Sequence, residues 1–409
     1  MKQLVRLAWR SIWRNRRRTL LTVGSMAAAL ALAVYFLAIA EGMYGRLLYQ
    51  VLRMQAGHLT VENAQHLDAP SIDLRLSGVP TLRARLQDLP DVAITKELIV
   101  GPGVANSGDG AVGVAIAGVE PSVEASLSPL IHRLVAGSYL EDGDERAVIV
   151  GAELSRRLDL EVGNKLVLSS NDVDGQLVQQ MVRIKGIFKT GSLDLDGHYV
   201  QIPIGFARTL FSMRPDEATQ IGLLLHDPDQ LSTVQRQVAG MIASNQRVAV
   251  WPWQKIMPEL SSFMKVDKGS NYVLQVIILL MAMFTIFNTI LMSALERKRE
   301  FAVMLALGTS PTRVKLQLLV ESVILGVLGC GLGVLLGSGM ALATDGISLE
   351  SIMGGGFDVA GFLVDPLLLA KLTPRITVGL GGAMVVIVAL MSLVPMGRIS
   401  RINVTDAFR

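Results

Sequence analysis

Four long apolar segments, with most of the polar sequence gathered between the first two, constrain this chain more than any other feature. They cover residues 19–40, 272–295, 316–343 and 376–396. Each is long enough to cross a bilayer as a helix, which takes about 20 apolar residues. The intervening stretch 41–271 has the length of one or two soluble domains. A chain that is 51% hydrophobic and still contains such a polar stretch concentrates its apolar residues elsewhere. The pattern predicts an α-helical membrane protein with four transmembrane helices and a large α+β extracytoplasmic domain inserted between helices 1 and 2.

The net charge is only +3, which gives no reason to expect nucleic acid as a partner. The placement of the charge matters more than its sum. Lys2, Arg6, Arg10, Arg14, Arg16, Arg17 and Arg18 precede the first segment; Arg297, Lys298, Arg299, Arg313 and Lys315 separate the second from the third; Arg398, Arg401 and Arg409 follow the fourth. Basic residues beside a span stay cytoplasmic. All three clusters and both termini are therefore expected inside, with 41–271 and the loop 344–375 outside. Ala38-Ile39-Ala40 has the form of a signal-peptidase site, but the apolar run before it exceeds the roughly 7–15 residues of a signal core, so 19–40 is read as a retained anchor. The single cysteine, Cys330, lies in the third segment, so the outer domain must fold on its core without disulfides.

Residues 1–18 place Leu4, Leu7, Ala8 and Ile12 at helical spacing with Trp9 and Trp13 four apart. This fits a cytoplasmic interfacial helix with its indoles at headgroup level. Proline-free, helix-compatible sequence continues through 41–54 and resumes over 259–271, so the first two spans are expected to extend outward as a stalk. Between them, short alternating and helical patterns punctuated by Gly, Pro and Asp predict a mixed α+β domain. Strands are expected at 58–62, 92–105, 111–119, 147–150, 165–169, 177–188, 199–204, 220–225 and 247–250. Helices are expected at 80–89, 121–135, 152–159, 205–211 and 229–244, with a strand-rich subdomain over 137–193.

The segment 296–315 is the substantial cytoplasmic connection between spans, and 397–409 is the cytoplasmic tail. Phe301, Met304, Leu305 and Gly308 fall at helical spacing, and Pro311 stops or redirects the helix. A short helix with a charged entry and an apolar face suits a groove on a soluble partner. In the third span, Gly329, Gly333 and Gly337 repeat every four residues, a face that lets another helix approach closely. It is read as packing within one subunit in preference to a seam between two. Tyr35, Phe36, Ile39 and Met43 of the first span, with Leu274, Ile278, Met281 and Phe284 of the second, are candidates for an apolar cargo cavity, Met being adaptable to greasy ligands. Glu321 is the one charge inside the spans, which disfavours ion-coupled transport.

Glu296–Arg299, then Glu300, then Ala306-Leu307-Gly308 resembles the E-R-x-x-E-[IF]-G-x-x-x-A-x-G coupling-helix signature of the MacB/FtsX/LolC-type permease family of ABC transporters, with Ala302 where that family usually has Gly. Leu160–Leu168 is similar to the family's L-x-V-G-D-x-[LIV]-x-L element, with Asn164 for Asp. The tail Val404–Arg409 is similar to its P-x-x-A-[LF]-[RK] ending, and Glu321 also matches. The resemblance covers essentially the whole chain. It implies a multi-pass protein of the bacterial inner membrane, non-catalytic itself, that pairs with a second permease copy or paralogue. It also implies that Glu296, Arg297, Glu300, Phe301, Met304, Leu305, Leu307 and Gly308 dock on a separate cytoplasmic ABC ATPase, where ATP and Mg bind. The motion would then pass to cargo on the periplasmic side.

The sequence contains no G-x-x-x-x-G-K-[ST] loop for nucleotide phosphates, no H-E-x-x-H, no G-x-S-x-G and no paired-cysteine metal spacing. No cofactor is expected on this chain. Asp194, Asp196 and His198 lie close in sequence, but such clusters are ordinary loop chemistry. Gln55–Thr60 resembles the entry to the exported domain in the lipoprotein-release branch. The loop 344–375 carries Phe357, Phe362, Leu363, Leu367, Leu368 and Leu369, which suit the outer surface of the membrane that the chain spans. A lipoprotein or other lipophilic cargo is therefore the first reading. The alternatives are a MacB-like efflux permease working with a periplasmic adaptor, an FtsX-like transmitter controlling a cell-wall hydrolase, and a receptor-like anchor without an ATPase.

Overall fold

The computed structural model describes residues 2–14, 16–243, 245, 247–349, 357–359, 362–364 and 367–399. The tail bearing Arg401 and Arg409 lies outside them. The chain divides into two compact units, Met1–Gly45 with Lys265–Leu349 and Leu367–Arg409, and Arg46–Met264 with Glu350–Pro366.

The helices in chain order are α1 (Lys2–Arg14), α2 (Arg16–Met54), α3 (Val79–Gln87), α4 (Pro121–Leu127), α5 (Ala152–Arg157), α6 (Leu193–His198), α7 (Ile204–Leu210), α8 (Leu231–Ile242), α9 (Trp253–Ile256), α10 (Pro258–Glu296), α11 (Lys298–Ala306), α12 (Pro311–Thr344) and α13 (Leu380–Ile399). Among the described residues four stretches of helix are long and apolar enough to cross a membrane: Thr19–Met54, Pro258–Met292, Pro311–Thr344 and Arg375–Leu393. A π-turn over Arg375–Gly379 leads into α13. The helices α2 and α10 each run unbroken for 39 residues. At 1.5 Å per residue each is about 58 Å long, roughly twice the hydrocarbon thickness of a bilayer.

The first unit is a helix bundle. Its core joins Met26, Leu30 and Val34 of α2, Ala282, Ile286 and Ile290 of α10, Cys330 of α12, and Leu380, Met384 and Val388 of α13. The bend between α1 and α2 is closed by Thr19 Oγ1, which donates to the Ile12 carbonyl at 2.6 Å. Ala8 and Ile12 are buried, whereas Trp9 and Trp13 are exposed and meet edge-on at 5.8 Å. Leu367–Leu369 are half-buried, and the segment after them crosses α2, with the Lys371 N–H donating to the Ala38 carbonyl at 2.9 Å. Gly42 makes this approach possible, because any Cβ there would collide with the Leu369 carbonyl.

Among the described residues of the second unit, ten strands join in one hydrogen-bonded system: β1 (Leu59–Asn63), β2 (Val92–Ser107), β3 (Gly110–Val119), β4 (Leu134–Gly137), β5 (Ala147–Gly151), β6 (Lys165–Asn171), β7 (Leu177–Phe188), β8 (Tyr199–Pro203), β9 (Gln220–Leu225) and β10 (Val248–Pro252). A separate pair, β11 (Phe357–Val359) and β12 (Phe362–Val364), is antiparallel. Two folds share the long strand β2. Strands β10-β1-β9-β2, all antiparallel, form a sheet whose chain order β1-α3-β2 and β9-α8-β10 is that of a split β-α-β pair. The later half of β2 enters a closed ring, β2-β3-β8-β5-β7-β6 and back to β2, which leaves no open edge in that circuit. One core of Leu, Ile, Val and Phe residues, from Leu59 and Val61 to Val250, runs through both.

The segment expected as one helix over 121–135 is three elements: α4, a 3₁₀ turn Pro129–Arg133 and strand β4. Pro129 accounts for the break. It disfavours helical geometry at the residue before it, and Ser128 is extended at φ −75°, ψ 129°. The Ser128 side chain then accepts from the Leu130 N–H to start the next turn.

On β1, Val61 faces the core while Glu62, 1% exposed, faces the other way. One Glu62 oxygen accepts from Gln220 Nε2 at 3.0 Å, and the other has no hydrogen-bond partner. Burial pushes this carboxyl from 4.5 up to about 7, against the pull of Gln220. The folded chain therefore holds the proton over a window in which the unfolded chain has released it. The contribution to stability is complete below about pH 4.5 and is lost as pH rises through about 7. His58 runs the opposite way: burial lowers it from 6.5 to about 4, so its contribution is lost as pH falls through that value. Glu62→Gln, which mimics the protonated acid, isolates the first effect. Its thermal midpoint should exceed the wild type near pH 8 and match it near pH 5. A difference independent of pH would contradict this assignment.

Candidate functional site

Three constructions in the helix bundle bear on function: a charged knot around α11, a seam of glycines on α12, and an apolar groove between α2 and α10.

The knot begins where α10 ends. Arg297 caps α11, its Nε donating to Glu300 Oε2 at 3.1 Å and its Nη1 to Glu321 Oε2 at 2.8 Å. Arg14 of α1 pairs with the other Glu300 oxygen, and Ser11 Oγ donates to Glu321 at 3.2 Å. Glu321 is thereby the counter-charge that ties α12 to α1 and α11. Burial works against the charge of Glu300, yet Arg297 and Arg14 hold its carboxyl below the usual range. Glu296 lines the same cleft.

The apolar face of α11 does not project as a unit. Phe301 is fully buried with Ala302, packed with Val314 and Leu318 of α12, and Met304 and Leu305 rest against that cluster. The expectation that Phe301 faces a partner is corrected: the turn to Pro311 folds α11 back onto α12 and puts Phe301 inside. Val303 at 43% and Leu307 at 81% are exposed instead. Gly308 follows at φ +88°, a left-handed stop that a side chain would strain. Among the described residues of α11, the exposed large apolar side chains are therefore at the Val303–Leu307 edge.

Gly329, Gly333 and Gly337 lie against α2 of the same chain. A Cβ at these positions would stand 2.9 Å from Met26 Cβ, 2.8 Å from Leu30 Cβ and 2.6 Å from the Ala31 carbonyl oxygen. This is close-packed helix contact of the small-residue kind.

The groove encloses about 420 Å³ and is lined by Phe36, Ile39 and Met43 of α2 with Leu274 and Ile278 of α10, among others. Five of the eight residues expected in a cargo cavity therefore meet. Asn271, Leu274, Gln275 and Ile278 share one face at helical spacing. Met281 and Phe284 lie further along α10 and are 67% and 64% exposed, away from the groove. Tyr35 is one residue, a 100° turn, from Phe36 and touches it edge-on at 5.5 Å without lining the cavity.

Sequence reasoning missed the polar end of this groove. Tyr44 donates its hydroxyl proton to Asp267 Oδ2, while Asn271 Nδ2 donates to the Tyr44 oxygen at 2.9 Å and to Asp267 at 3.2 Å. The three side chains fasten α2 to α10. Their signal in the sequence was polar residues where two helices leave their apolar stretches. Asp194, Asp196 and His198 form no cluster of metal donors among the described residues. Asp196 accepts from Thr190 and Gly191, and His198 Nδ1 bonds the Gly113 carbonyl.

A family model described as FtsX-like permease C-terminal matches residues 272–404, and one described as MacB-like periplasmic core domain matches residues 19–241. The chain is 23% identical over 288 residues to the lipoprotein-releasing system transmembrane protein LolE of Haemophilus influenzae, covering 69% of this chain and 68% of that one. It is 27% identical over 243 residues to the LolC protein of Neisseria meningitidis serogroup B, 57% of each chain. It is 24% identical over 357 residues to the pyoverdine export ATP-binding/permease protein PvdT of Pseudomonas savastanoi, covering 83% of this chain and 52% of that one. The chain thus spans little more than half the length of LolC and PvdT. Among solved structures, the periplasmic region of MacB from Actinobacillus actinomycetemcomitans matches at 10% identity and TM-score 0.36, covering 53% of this chain and 98% of that one. The extracellular domain of YknZ from Gram-positive bacteria matches at 15% and 0.35, covering 47% and 98%.

Proposed function

Because the chain belongs to the MacB-like periplasmic core domain family and is an FtsX-like permease of the LolC/MacB/FtsX type, we propose that it is the non-catalytic membrane subunit of an ABC transporter that moves motion, not a solute stream, across the inner membrane. A separate cytoplasmic ATPase binds ATP and Mg and docks on the Val303–Leu307 edge of α11. The α+β unit lies on the periplasmic side as an insertion between the first two spans, and both termini are cytoplasmic. The cargo is a lipoprotein or another lipid-anchored molecule, whose acyl chains enter the groove between α2 and α10.

One observation carries this reading. The helix α10 runs unbroken from the groove at Asn271 to the charged knot at Glu296. Some 25 residues of helix, about 38 Å, join the two. A displacement of α11 by a partner is thus delivered along one rigid rod to the cavity that would hold cargo. The exposed apolar face of α10, with Val273, Leu280, Met281 and Phe284, suits a second permease copy or paralogue. The match to PvdT favours an efflux role as the second reading, in which the α+β unit meets a periplasmic adaptor.

Leu307 is the residue at which docking can be tested. Leu307→Asp alters an exposed side chain and leaves the buried Phe301 cluster intact. The variant should fold, match the wild-type thermal midpoint and lose co-purification with its ATPase by about tenfold or more, as expected for an interface anchor. Undiminished retention of the ATPase would remove α11 from the coupling path.

A further inference from the structure

We propose that a cavity beside the cargo groove binds the headgroup of a bilayer phospholipid with a phosphodiester and a primary ammonium, of the phosphatidylethanolamine kind. The cavity, about 370 Å³, is bounded by α2, α10 and the turn that opens α13. Its walls are of two kinds. Leu37, Ala40, Ile376 and Leu380 are apolar, whereas Glu41, Lys268 and Arg375 bring two cations and one anion to the same space. Among the described residues none of these three is in an ion pair.

The arrangement does not relax by internal pairing. Asp267, the carboxylate next to Lys268 in sequence, is already taken by Tyr44 and Asn271. Lys268 is seated over the Tyr44 ring, its Nζ 5.1 Å from the centroid. Tyr44 is in turn fixed by its two hydrogen bonds, so the cation has a defined position. Two cations sharing a cavity attract a phosphodiester, and Arg offers it a planar fork. Glu41 supplies a counter-charge for an ammonium that follows the phosphate. The apolar wall gives an acyl chain a path toward the bundle core, where Leu380 is buried. Lys and Arg at span ends stand at headgroup level, where such a lipid is at hand. A free phosphate would leave the apolar wall uncovered.

The cavity shares Leu37, Ala40, Tyr44, Asn271 and Gln275 with the groove, so the lipid would sit against the same latch from the other side. The inference needs only that the four apolar helices lie in a bilayer. It stands whether or not the groove takes a lipoprotein.

The test uses the full chain reconstituted in discs of equimolar phosphatidylethanolamine and phosphatidylglycerol, then extracted in mild detergent, with retained lipid measured by mass spectrometry. The wild type should retain phosphatidylethanolamine in excess. Lys268→Gln with Arg375→Gln should lower retained phospholipid about tenfold, as expected for loss of charge-assisted hydrogen bonds. Glu41→Gln should keep phospholipid but erase the preference between the two headgroups. A purely structural role would not move that ratio, so the single variant decides the matter even if the double variant aggregates. Equal retention and an equal ratio in wild type and variants would overturn the proposal, as would loss of lipid in Glu41→Gln without change in the ratio.

Discussion

Lys96→Met is expected to destabilise the α+β unit by about 3–5 kcal/mol, because it leaves Glu124 buried without its counter-charge. The side chains of Lys96 and Glu124 are 1% and 2% exposed and meet at 2.7 Å. Lys96 is among the largest fully buried side chains of the described residues. Its Nζ also donates to the Arg53 carbonyl at 2.8 Å, one of the last carbonyls of α2. A helix end leaves such carbonyls without intrahelical donors and carries a partial negative charge, so a buried ammonium there is favoured twice over. The lysine thus rivets the terminus of a membrane helix to β2, the strand shared by the sheet and the ring. Thermal unfolding of the full chain in detergent should show the α+β transition fall by on the order of 10 °C. Lys96→Met with Glu124→Leu should recover most of the loss, since an apolar pair often replaces a buried ion pair without cost. Recovery should be incomplete, because the Arg53 carbonyl still lacks its donor. A single variant as stable as the wild type would show that the rivet is unnecessary.

Gly337→Leu is expected to split the contact between α2 and α12. A Cβ at that position would stand 2.6 Å from the Ala31 carbonyl oxygen and 2.9 Å from Val34 Cβ. The first of these is backbone and cannot swing aside, so the helices themselves must separate. Overpacking of this kind costs about 3 kcal/mol or more. The same substitution at Gly339, where nothing lies within 4 Å, is the control. The thermal midpoint should drop for Gly337→Leu and hold for Gly339→Leu. Equal midpoints would mean that α12 does not pack on α2 through this face.

Much of the architecture was legible because periodicity and punctuation carried it. The apolar runs located four helices, and alternation located β1, β3, β5 to β10 and most of β2. The helix expected over 121–135 failed at Pro129, where the rule for residues preceding proline outweighs local helix preference. Topology was not legible: that β2 belongs to both a sheet and a closed ring depends on pairings between residues as distant as Val104 and Ser169. The family motif led to α11, yet spacing alone could not tell that Phe301 turns inward and Leu307 outward. That depends on how the chain folds back at Gly308 and Pro311. Helical spacing likewise placed Met281 and Phe284 with Leu274, and only the course of α10 past the groove separates them. Lys96 gave no signal, since a lysine amid Ile94, Leu98 and Ile99 reads as an edge residue until its partners are seen.

If the groove between α2 and α10 holds a lipid-anchored cargo whose release is powered by a partner ATPase, blocking hydrolysis should trap that cargo in the groove. The most direct measurement places a photo-crosslinking residue at Leu274, and at Met281 as an exposed control outside the groove, in the full chain co-expressed with its ATPase carrying a hydrolysis-blocking substitution. An acylated protein should crosslink at Leu274 and not at Met281, with the yield falling when the wild-type ATPase is allowed to turn over. Crosslinks to phospholipid alone at Leu274, or an equal yield at both positions, would contradict a lipid-anchored cargo in the groove.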